Sequence, residues 1–562
     1  MGKKRVIVGL VVGLVVISGL VFAILSLTRN VGKTERTIST ETAQERLDGM
    51  LREIDPQTAQ PIKSSVEYSQ KETTAEELPD LNTNEVTVKA TTDAFAEIWA
   101  SPEKAGSGTD GWMREMAEQF NKSGATVGGK PASVQIRNMS SGLGVDYIAT
   151  GKATPAGYTP SNMLFVDLLG NRGVKCDVVR ERLVGNVAGI LLDKAHYDAL
   201  IQKHGSADLK AVTEAVGAGE LTMGYTNPLT SSTGLNFLVS TLLRYDPANP
   251  LSDKAVEGFR QFQSNVPFVA LTTVQMRDAA QRGALDGFVT EWQLYTNDPS
   301  LSNNYVFTPF GYRHDNPLVA CPTATSEQRE ILEQFAQYCD NNGKELAERY
   351  GFNGKDDYVS EVPAINGEQL VKAQELYKKN KDTDRPVVAV FVADISGSMS
   401  GTPLAELQTS LINSMRYINP ENYVGLASYS DTVTIDVPVA KFDLNQQSLF
   451  KGAVENLRAG GGTATFDAIL VAADMVKKAT DQVPGAKPMI FVLSDGESGE
   501  YVASFNAMSE VVAGLRIPIY TIGYNANISA LQQISSINEA ASIDASTDDV
   551  TYQLRNLFNA NM

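Results

Sequence analysis

The sequence predicts an α/β protein with an N-terminal transmembrane helix and more than one folded domain. Three observations support this: an uncharged run opens the chain, strands alternate with helices from residue 85 onward, and near-continuous apolar strands recur after residue 385. Alternation of strands and helices is typical of parallel sheets with crossover helices. The 562 residues of the chain also exceed the roughly 250–300 at which single cores stop growing.

The first residues predict a membrane anchor. Three cations within residues 1–5 are followed by an uncharged run from Val6 to Thr28, long enough at ~1.5 Å per residue to cross a ~30 Å hydrocarbon layer. The run is longer than the apolar region of a cleaved signal peptide, and no small-residue cleavage site follows it. We therefore predict an uncleaved anchor over residues 1–28, in which Gly9 and Gly13 form one GxxxG pattern that can seat a helix dimer.

Residues 29–84 are predicted to form a stalk between the membrane and the folded domains. The segment is rich in Thr, Glu, Gln, Ser and Pro and poor in aromatic residues, a composition that suits a linker. One short helix is expected within it near Thr42–Ile54, because Leu47, Met50 and Leu51 fall on one side.

The first α/β region covers residues 85–365, and two of its polar loops open helices. Hydroxyl-rich, glycine-containing turns at these positions present N–H groups and the positive end of the helix dipole to an anion or a carbonyl. The alternative interpretation is that their hydroxyls are ordinary helix caps. The candidate ligand-binding residues in these loops are Ser140, Ser141, Thr230 and Ser232.

A polar linker is predicted at residues 366–384, followed by a second α/β region at residues 385–562. Its strands Val387–Val392 and Met489–Leu493 are near-continuous apolar runs, the pattern of strands buried on both faces of a parallel sheet. We therefore predict a doubly wound domain, in which ligands bind beyond the carboxyl ends of the strands.

Oxygen-bearing side chains lie at those strand ends and in a glycine-rich loop before a helix. Carboxylates and hydroxyls suit a hard cation that keeps several waters, so Mg²⁺ is the first choice, with Mn²⁺ or Ca²⁺ as alternatives. The candidate metal ligands are Asp394, Ser396, Ser398, Thr463 and Asp495.

This pattern resembles the metal-ion-dependent adhesion site (MIDAS) of von Willebrand factor A domains, over the whole C-terminal region. The resemblance implies that Ser396, Ser398 and Thr463 supply hydroxyls, while Asp394 and Asp495 bind the metal directly or through water. It also implies a domain that binds a protein partner, whose carboxylate would complete the coordination shell, and that is not an enzyme. The alternative is that these side chains only cap helices and turns.

The order of segments in the first α/β region resembles the type 2 periplasmic solute-binding fold, with Asn227–Gly234 similar to its ligand-side helix start. The resemblance implies two α/β lobes around a cleft, joined by two crossing segments. Lobe two would run from about Leu183 to Phe288. Glu291 and Trp292 would lie near the return crossing, and Thr91–Asp93 would face the cleft.

Composition excludes several classes of function. The formal net charge is −18, whereas nucleic-acid binders need cations that neutralise phosphates. Three histidines and three cysteines without a C-x-x-C or H-E-x-x-H pattern disfavour a zinc site, and no G-x-S-x-G occurs. We therefore predict a protein that binds no nucleic acid and is not an enzyme.

The predicted function is that of a membrane-anchored, single-pass adhesion-like binding protein at the cell surface. Because both resembled families are mainly extracytoplasmic, its C-terminal domains are expected outside the cytoplasm, where Cys321 and Cys339 could pair and leave Cys176 free. The alternative for the cysteines is buried free thiols. The alternative function is a solute or anion sensor, or a transport accessory, that uses the middle cleft. A cytoplasmic scaffold beside an AAA ATPase is disfavoured by the membrane span.

Overall fold

The computed structural model of the chain describes residues 38–66, 75, 78–266, 268–270, 276, 285–381, 385–496, 499–524, 528–535, 542–544, 554 and 557–558. The predicted anchor at residues 6–28, with its GxxxG pattern, lies outside these residues. No helix within the described ranges is both long and apolar enough to cross a membrane.

The elements follow one another in four groups along the chain. An N-terminal segment contains α1 (Thr40–Ile54) and β1 (Gln57–Thr58). Lobe one begins with β2 (Val86–Val88), β3 (Ala94–Ala100), α2 (Pro102–Ala105), α3 (Trp112–Lys122), β4 (Thr126–Val127), β5 (Lys130–Asn138), α4 (Ser141–Thr150), β6 (Gly157–Thr159), α5 (Leu164–Asn171) and β7 (Asp177–Arg180). Lobe two contains β8 (Asn186–Asp193), α6 (Lys194–His204), α7 (Leu209–Gly217), β9 (Met223–Thr226), α8 (Ser232–Tyr245), α9 (Asp253–Gln263), β10 (Phe268–Ala270), β11 (Gly287–Glu291), α10 (Trp292–Asn297), α11 (Pro299–Asn304) and β12 (Tyr305–His314). Lobe one resumes with β13 (Leu318–Ala320), α12 (Ser326–Asn342), α13 (Lys344–Arg349) and α14 (Gly367–Asn380).

The C-terminal domain completes the chain. It contains β14 (Val387–Asp394), α15 (Thr402–Ser414), β15 (Tyr423–Tyr429), β16 (Val433–Lys441), α16 (Leu444–Asn456), α17 (Thr465–Gln482), β17 (Lys487–Ser494), α18 (Phe505–Leu515), β18 (Ile519–Gly523), α19 (Ile528–Ser535) and β19 (Ser542–Asp544). Its sheet has the order β1–β16–β15–β14–β17–β18–β19, in which only the β15–β16 pair is antiparallel. Strands β14 and β15 are almost wholly buried, so the predicted doubly wound domain is confirmed.

Lobe one is built on a sheet of order β2–β5–β3–β6–β13–β7. Strands β3, β5 and β6 are parallel, so their carboxyl ends meet at one edge, facing lobe two. The prediction that Thr91–Asp93 faces the cleft is wrong, because these residues precede β3 at its amino end. There the Thr91 and Thr92 N–H groups donate to Ser133 Oγ. The earlier strand, β2, is an antiparallel edge partner of β5.

Lobe two has a sheet of order β10–β9–β11–β8–β12. Both β11 and β12 pair antiparallel with β8. The lobe therefore does not end at Phe288, as predicted: the chain returns to lobe one at residues 315–317, after β12. Glu291 nevertheless lies at this crossing, because its carboxylate contacts His314 at the end of β12. The predicted neighbour Trp292 lies under the ammonium of Lys355, 4.7 Å from the ring centroid.

The predicted linker at residues 366–384 contains helix α14, which packs against both lobes. Leu370, Ala373 and Tyr377 recur at helical spacing and are buried, so burial of this stripe favours a docked helix over an extended segment. Gln374 Nε2 donates to the Pro228 carbonyl of lobe two at 2.9 Å. Lys381 Nζ then donates to the Phe558 carbonyl of the C-terminal domain, also at 2.9 Å.

The predicted stalk also differs from the structure. The expected helix is present as α1, but it packs against α18 and α17 of the C-terminal domain with Ala43 and Leu47 fully buried. Strand β1 extends the C-terminal sheet by pairing with β16, and Ser64 N–H donates to the Ser448 carbonyl at 3.0 Å. The apolar side of α1 and the free edge of β16 thus draw the N-terminal segment onto this domain.

Candidate functional site

Asp394 is the centre of the predicted metal site. It ends β14, between the parallel strands β15 and β17, and its side chain is buried. Its Oδ1 accepts the Ser396 N–H at 2.8 Å, and its Oδ2 accepts Ser494 Oγ–H at 2.6 Å and Tyr429 Oη–H at 3.1 Å. Hydrogen bonds from both neighbouring strand ends therefore fix the position of this carboxylate.

The two predicted serine ligands lie together beside Asp394. Ser396 Oγ and Ser398 Oγ are 3.0 Å apart; Ser396 is buried and Ser398 is exposed. A hydroxyl carries one donor and two acceptor lone pairs, so hydroxyls that bond one another here can also turn lone pairs toward a cation.

Backbone hydrogen bonds bring the glycine-rich loop to the same edge. Gly397 N–H donates to the Gly461 carbonyl at 3.0 Å, and Gly460 N–H donates to the Ile395 carbonyl at 2.8 Å. This loop leads to Thr463, which is half-buried and whose N–H donates to Tyr501 Oη at 3.2 Å. The Ser396 and Thr463 loops are thus joined through the main chain.

Asp495 is the fifth predicted ligand and directly follows β17. It is 8% exposed. Burial raises the pKa of Asp394, hydrogen bonds from Ser396 and Ser494 oppose this, and the negative charge of Asp495 adds to the rise. Two acids at one sheet edge thus disfavour each other's ionisation, which is the electrostatic setting that a divalent cation relieves.

Sequence reasoning missed three groups that shape this site. Tyr429 and Ser494, which hold Asp394, are the last residues of β15 and β17, so the rule that ligands lie at strand ends would have found them. Tyr501 Oη also donates to Asp431 Oδ1 at 3.3 Å and lies too far along the chain for any local pattern to indicate it. All five predicted ligands are oxygen donors, which fits a hard cation.

A separate group with metal-ligating side chains lies in lobe two. Among the described residues, Asp193, His196 and Asp286 bring ligand atoms within 4.8 Å of one another. His196 Nδ1 is 2.7 Å from Asp193 Oδ2, and its Nε2 is 3.7 Å from Asp286 Oδ1. Asp193 also caps α6 through the His196 N–H. Both imidazole nitrogens face carboxylates, so the geometry is that of a capped, ion-paired histidine.

The second candidate site is a cavity of about 210 Å³ between the two lobes. All four hydroxyl residues predicted to bind ligand line it, namely Ser140, Ser141, Thr230 and Ser232. Helices α4 and α8 both begin at this cavity. The structure therefore brings together, from two lobes, side chains that are 92 residues apart at the extremes.

Direct contacts join the lobes beside the cavity. Ser232 Oγ donates to Ser141 Oγ at 2.9 Å, and the Gly142 N–H donates to the Thr230 carbonyl at 3.0 Å. A Cβ at Gly142 would lie 2.2 Å from the Leu229 carbonyl oxygen, so glycine is required for this approach.

The alternative capping role does not account for two of these hydroxyls. Ser140 occupies the N-cap position of α4, yet its side chain makes no capping hydrogen bond. The N-cap of α8 is Ser231, whose Oγ accepts the Gly234 N–H, and Ser232 instead bonds across to lobe one.

A buried ion pair that sequence reasoning did not identify lies at the wall of the cavity. Glu103 and Lys104 follow the carboxyl end of β3, and Glu103 Oε1 is 3.4 Å from Lys104 Nζ. Burial opposes ionisation of Glu103, but the Lys104 charge and hydrogen bonds from Ser101 and Ser161 outweigh it and lower the pKa of that carboxyl. Burial also lowers the pKa of Lys104.

Glu291 is the second carboxylate that lines the cavity. Its Oε1 lies 2.9 Å from His314 Nδ1 and accepts Thr233 Oγ1–H at 2.8 Å, while its Oε2 accepts Asn186 Nδ2–H at 2.8 Å. His314 Nε2 in turn contacts Asn162 Nδ2 of lobe one at 3.0 Å. This network ties Glu291 to both crossings.

Comparisons with known proteins support two kinds of domain. The model of the von Willebrand factor type A domain matches residues 389–560. Bovine (Bos taurus) inter-alpha-trypsin inhibitor heavy chain H4 is 30% identical over 119 residues, which cover 20% of this chain and 13% of that protein.

Solved structures similar to the chain include both types. A von Willebrand factor type A structure from Catenulispora acidiphila is 17% identical and covers 31% of this chain and 42% of that one, with a TM-score of 0.28. The sulfate-binding protein SubI from Mycobacterium tuberculosis is 13% identical and covers 47% of this chain and 88% of that one, with a TM-score of 0.35.

Proposed function

We propose, on the premise that residues 389–560 form a von Willebrand factor A domain, that this chain is a membrane-anchored, extracytoplasmic binding protein. In this proposal the C-terminal domain engages a protein partner through a Mg²⁺ ion, and no catalytic step is assigned. The observation that supports it most is the convergence of Asp394, Ser396 and Ser398 with the Thr463 loop through two main-chain hydrogen bonds.

The chain's own residues would act in two ways. Asp394 and Asp495 supply the negative charge that attracts a divalent cation, and Ser396, Ser398 and Thr463 supply neutral oxygens. Exposed Ser398 marks the open side, from which a partner's carboxylate would approach. The bound cation would neutralise the two acids and offer a coordination position to that partner.

The direct test is Mg²⁺ titration of the full chain by calorimetry and thermal melting. We expect binding in the wild type and none in Asp394→Ala, because the central carboxylate is gone. Asp481→Ala is the matched control, since Asp481 is an exposed acid of the same domain that pairs with Lys477. Equal Mg²⁺ binding by wild type and Asp394→Ala would refute the metal-site assignment.

A second candidate function is supported by the interlobe cavity: recognition of a small solute by Ser140, Ser141, Thr230 and Ser232. The hydroxyls and two helix starts favour a carbonyl or an oxyanion. Lys104 balances Glu103, and Glu291 is bonded to three neighbours. The volume of about 210 Å³ suits a small solute.

A melting screen of anions, sugars and amino acids tests this function. A solute at a hundredfold excess over its dissociation constant should stabilise the protein by ~2.7 kcal/mol. The Ser140→Ala/Ser232→Ala double variant should lose that shift, whereas Ser206→Ala, which does not line the cavity, should keep it. A screen without shifts, or shifts retained in the double variant, would rule out this role.

A further inference from the structure

Two of the three cysteines face each other across the edge of the lobe-one sheet. Strands β7 and β13 are antiparallel, with Val319 opposite Val178 and Ala320 opposite Asp177. The next pair in this register is Cys321 opposite Cys176. Directly opposed residues have Cα atoms ~4.5–5.5 Å apart, within the ~4.4–6.8 Å range of disulfides.

This arrangement differs from the predicted Cys321–Cys339 pair. All three cysteines are free thiols in the structure, and Cys339 lies on helix α12 in the lobe-one core with Phe335 and Leu332. Cys321, in contrast, lies in the strand ladder, where its N–H donates to the Ala156 carbonyl of the adjoining chain at 2.9 Å.

The two thiols of the pair differ in access. Cys321 is fully buried, whereas Cys176 is partly exposed and lines a surface cavity of about 600 Å³. The hydrogen bond with Cys321 lowers the pKa of Cys176, and the Arg329 guanidinium adds to this. Arg329 donates to Asp177 Oδ2 at 2.7 Å and to the Cys321 carbonyl at 3.2 Å, so one cation holds both strands beside the thiols.

We propose that Cys176 and Cys321 form a disulfide by exchange with an external disulfide, either a small molecule or a disulfide-bearing oxidoreductase. The Cys176 thiolate attacks one sulfur of the external disulfide, which forms a mixed disulfide and releases one thiolate. Cys321 loses its proton to that thiolate and attacks Cys176 Sγ, which releases the second thiolate. Two protein thiols are oxidised to one disulfide, and the external disulfide is reduced to two thiols.

The bond would close a ring around the whole of lobe two. Strand β7 leads into the outgoing crossing and β13 follows the return crossing, so residues 177–320 contain lobe two and both crossings. Strand β7 is a four-residue edge strand. The disulfide would therefore tie this edge, and the base of both crossings, to the body of lobe one.

The test uses the reduced full chain, incubated with oxidised glutathione, alkylated and mapped by mass spectrometry without reduction. We expect one disulfide that joins the Cys176 and Cys321 peptides, with a mass loss of two hydrogens, while Cys339 is alkylated only after unfolding. Cys339→Ser should oxidise as the wild type does, and Cys176→Ser should form no internal disulfide.

Three results would overturn the proposal. These are a wild type that retains three free thiols, a link that contains Cys339, and a link from Cys176 to a second copy of the chain. The wild-type map needs no variant to fold, so each of these results is decisive.

Discussion

The two oxygen-lined sites of this molecule are assembled in different ways. The sheet-edge site is built by one domain, from adjacent strand ends and loops that share main-chain hydrogen bonds such as Gly460 N–H to the Ile395 carbonyl. The interlobe cavity joins two sheets, through contacts such as Ser232 Oγ to Ser141 Oγ. The first geometry is set by the fold of one domain, whereas the second depends on how two lobes meet.

The acids of the two sites differ in the same instructive way. Glu103 has Lys104 beside it, and its pKa is lowered although it is buried. Asp394 is held by hydroxyls and an N–H group and is exposed to the charge of Asp495, and its pKa is raised. The cavity supplies its own counter-charge, whereas the sheet edge is arranged to receive one.

The largest expected effect tests that internal counter-charge. Lys104→Met leaves the Glu103 carboxylate buried without its cation, so we expect a loss of ~3–5 kcal/mol in the free energy of unfolding, measured by urea denaturation. Glu103→Gln/Lys104→Met should recover most of the loss, because no unpaired charge remains. A Lys104→Met protein as stable as the wild type would remove this contrast between the sites.

The next effect tests whether the sheet-edge domain includes the N-terminal segment. Leu47 is fully buried between α1 and this domain, so Leu47→Ala should cost ~2–5 kcal/mol. The loss should appear in the unfolding of the C-terminal domain and leave solute-independent melting of the lobes unchanged. Glu53→Ala, on the exposed side of α1, is the control. Equal loss in both variants would mean that α1 packs differently.

Mg²⁺ should produce the third effect and only at the sheet edge. At a hundredfold excess over its dissociation constant it should stabilise the wild type by ~2.7 kcal/mol and Asp394→Ala not at all, measured by melting. The raised pKa of Asp394 means that protons compete with the cation, so the stabilisation should shrink as the pH falls through that pKa. Glu103→Gln should keep the Mg²⁺ response; losing it would couple the two sites.

A third buried acid separates burial from metal binding. Asp436 on β16 has Oδ2 without a hydrogen-bond partner among the described residues, and burial raises its pKa to about 6 despite a hydrogen bond from Ser428. Because the folded state binds the proton more tightly, this group's contribution stabilises below its unfolded pKa and is lost as the pH rises through about 6. Asp436→Asn should add ~1–3 kcal/mol at pH 7 and remove this pH dependence, in Mg²⁺ or without it.

The smallest effect is at the contact between lobes. Ser232→Ala removes the hydrogen bond to Ser141 and should cost ~0.5–1.5 kcal/mol, measured by urea denaturation. Ser141→Ala should cost about as much, and the double variant no more than either single one, since one bond is shared. Additive losses would show that the two hydroxyls act separately.

The sequence by itself determined the features that depend on neighbouring residues. The apolar strand up to Val392, the acid that ends it and the two serines after it are one local pattern, and the strand-end rule was enough to place Asp394, Ser396 and Ser398 at a sheet edge. The von Willebrand factor A resemblance built on this pattern is confirmed by the family model. The loops of Ser140 and Ser232 were likewise identified from hydroxyls at helix starts.

Only the tertiary structure decided what depends on strand order and register between distant segments. Tyr429 and Ser494 reach Asp394 because β15 and β17 flank β14. Lobe two extends to His314 because β12 pairs back onto β8, and Cys176 meets Cys321 through a register set 145 residues apart. Such pairings are settled by burial of whole sheet faces rather than by local propensity, and a composition typical of linkers does not prevent an amphipathic helix such as α1 from docking where a free surface accepts it.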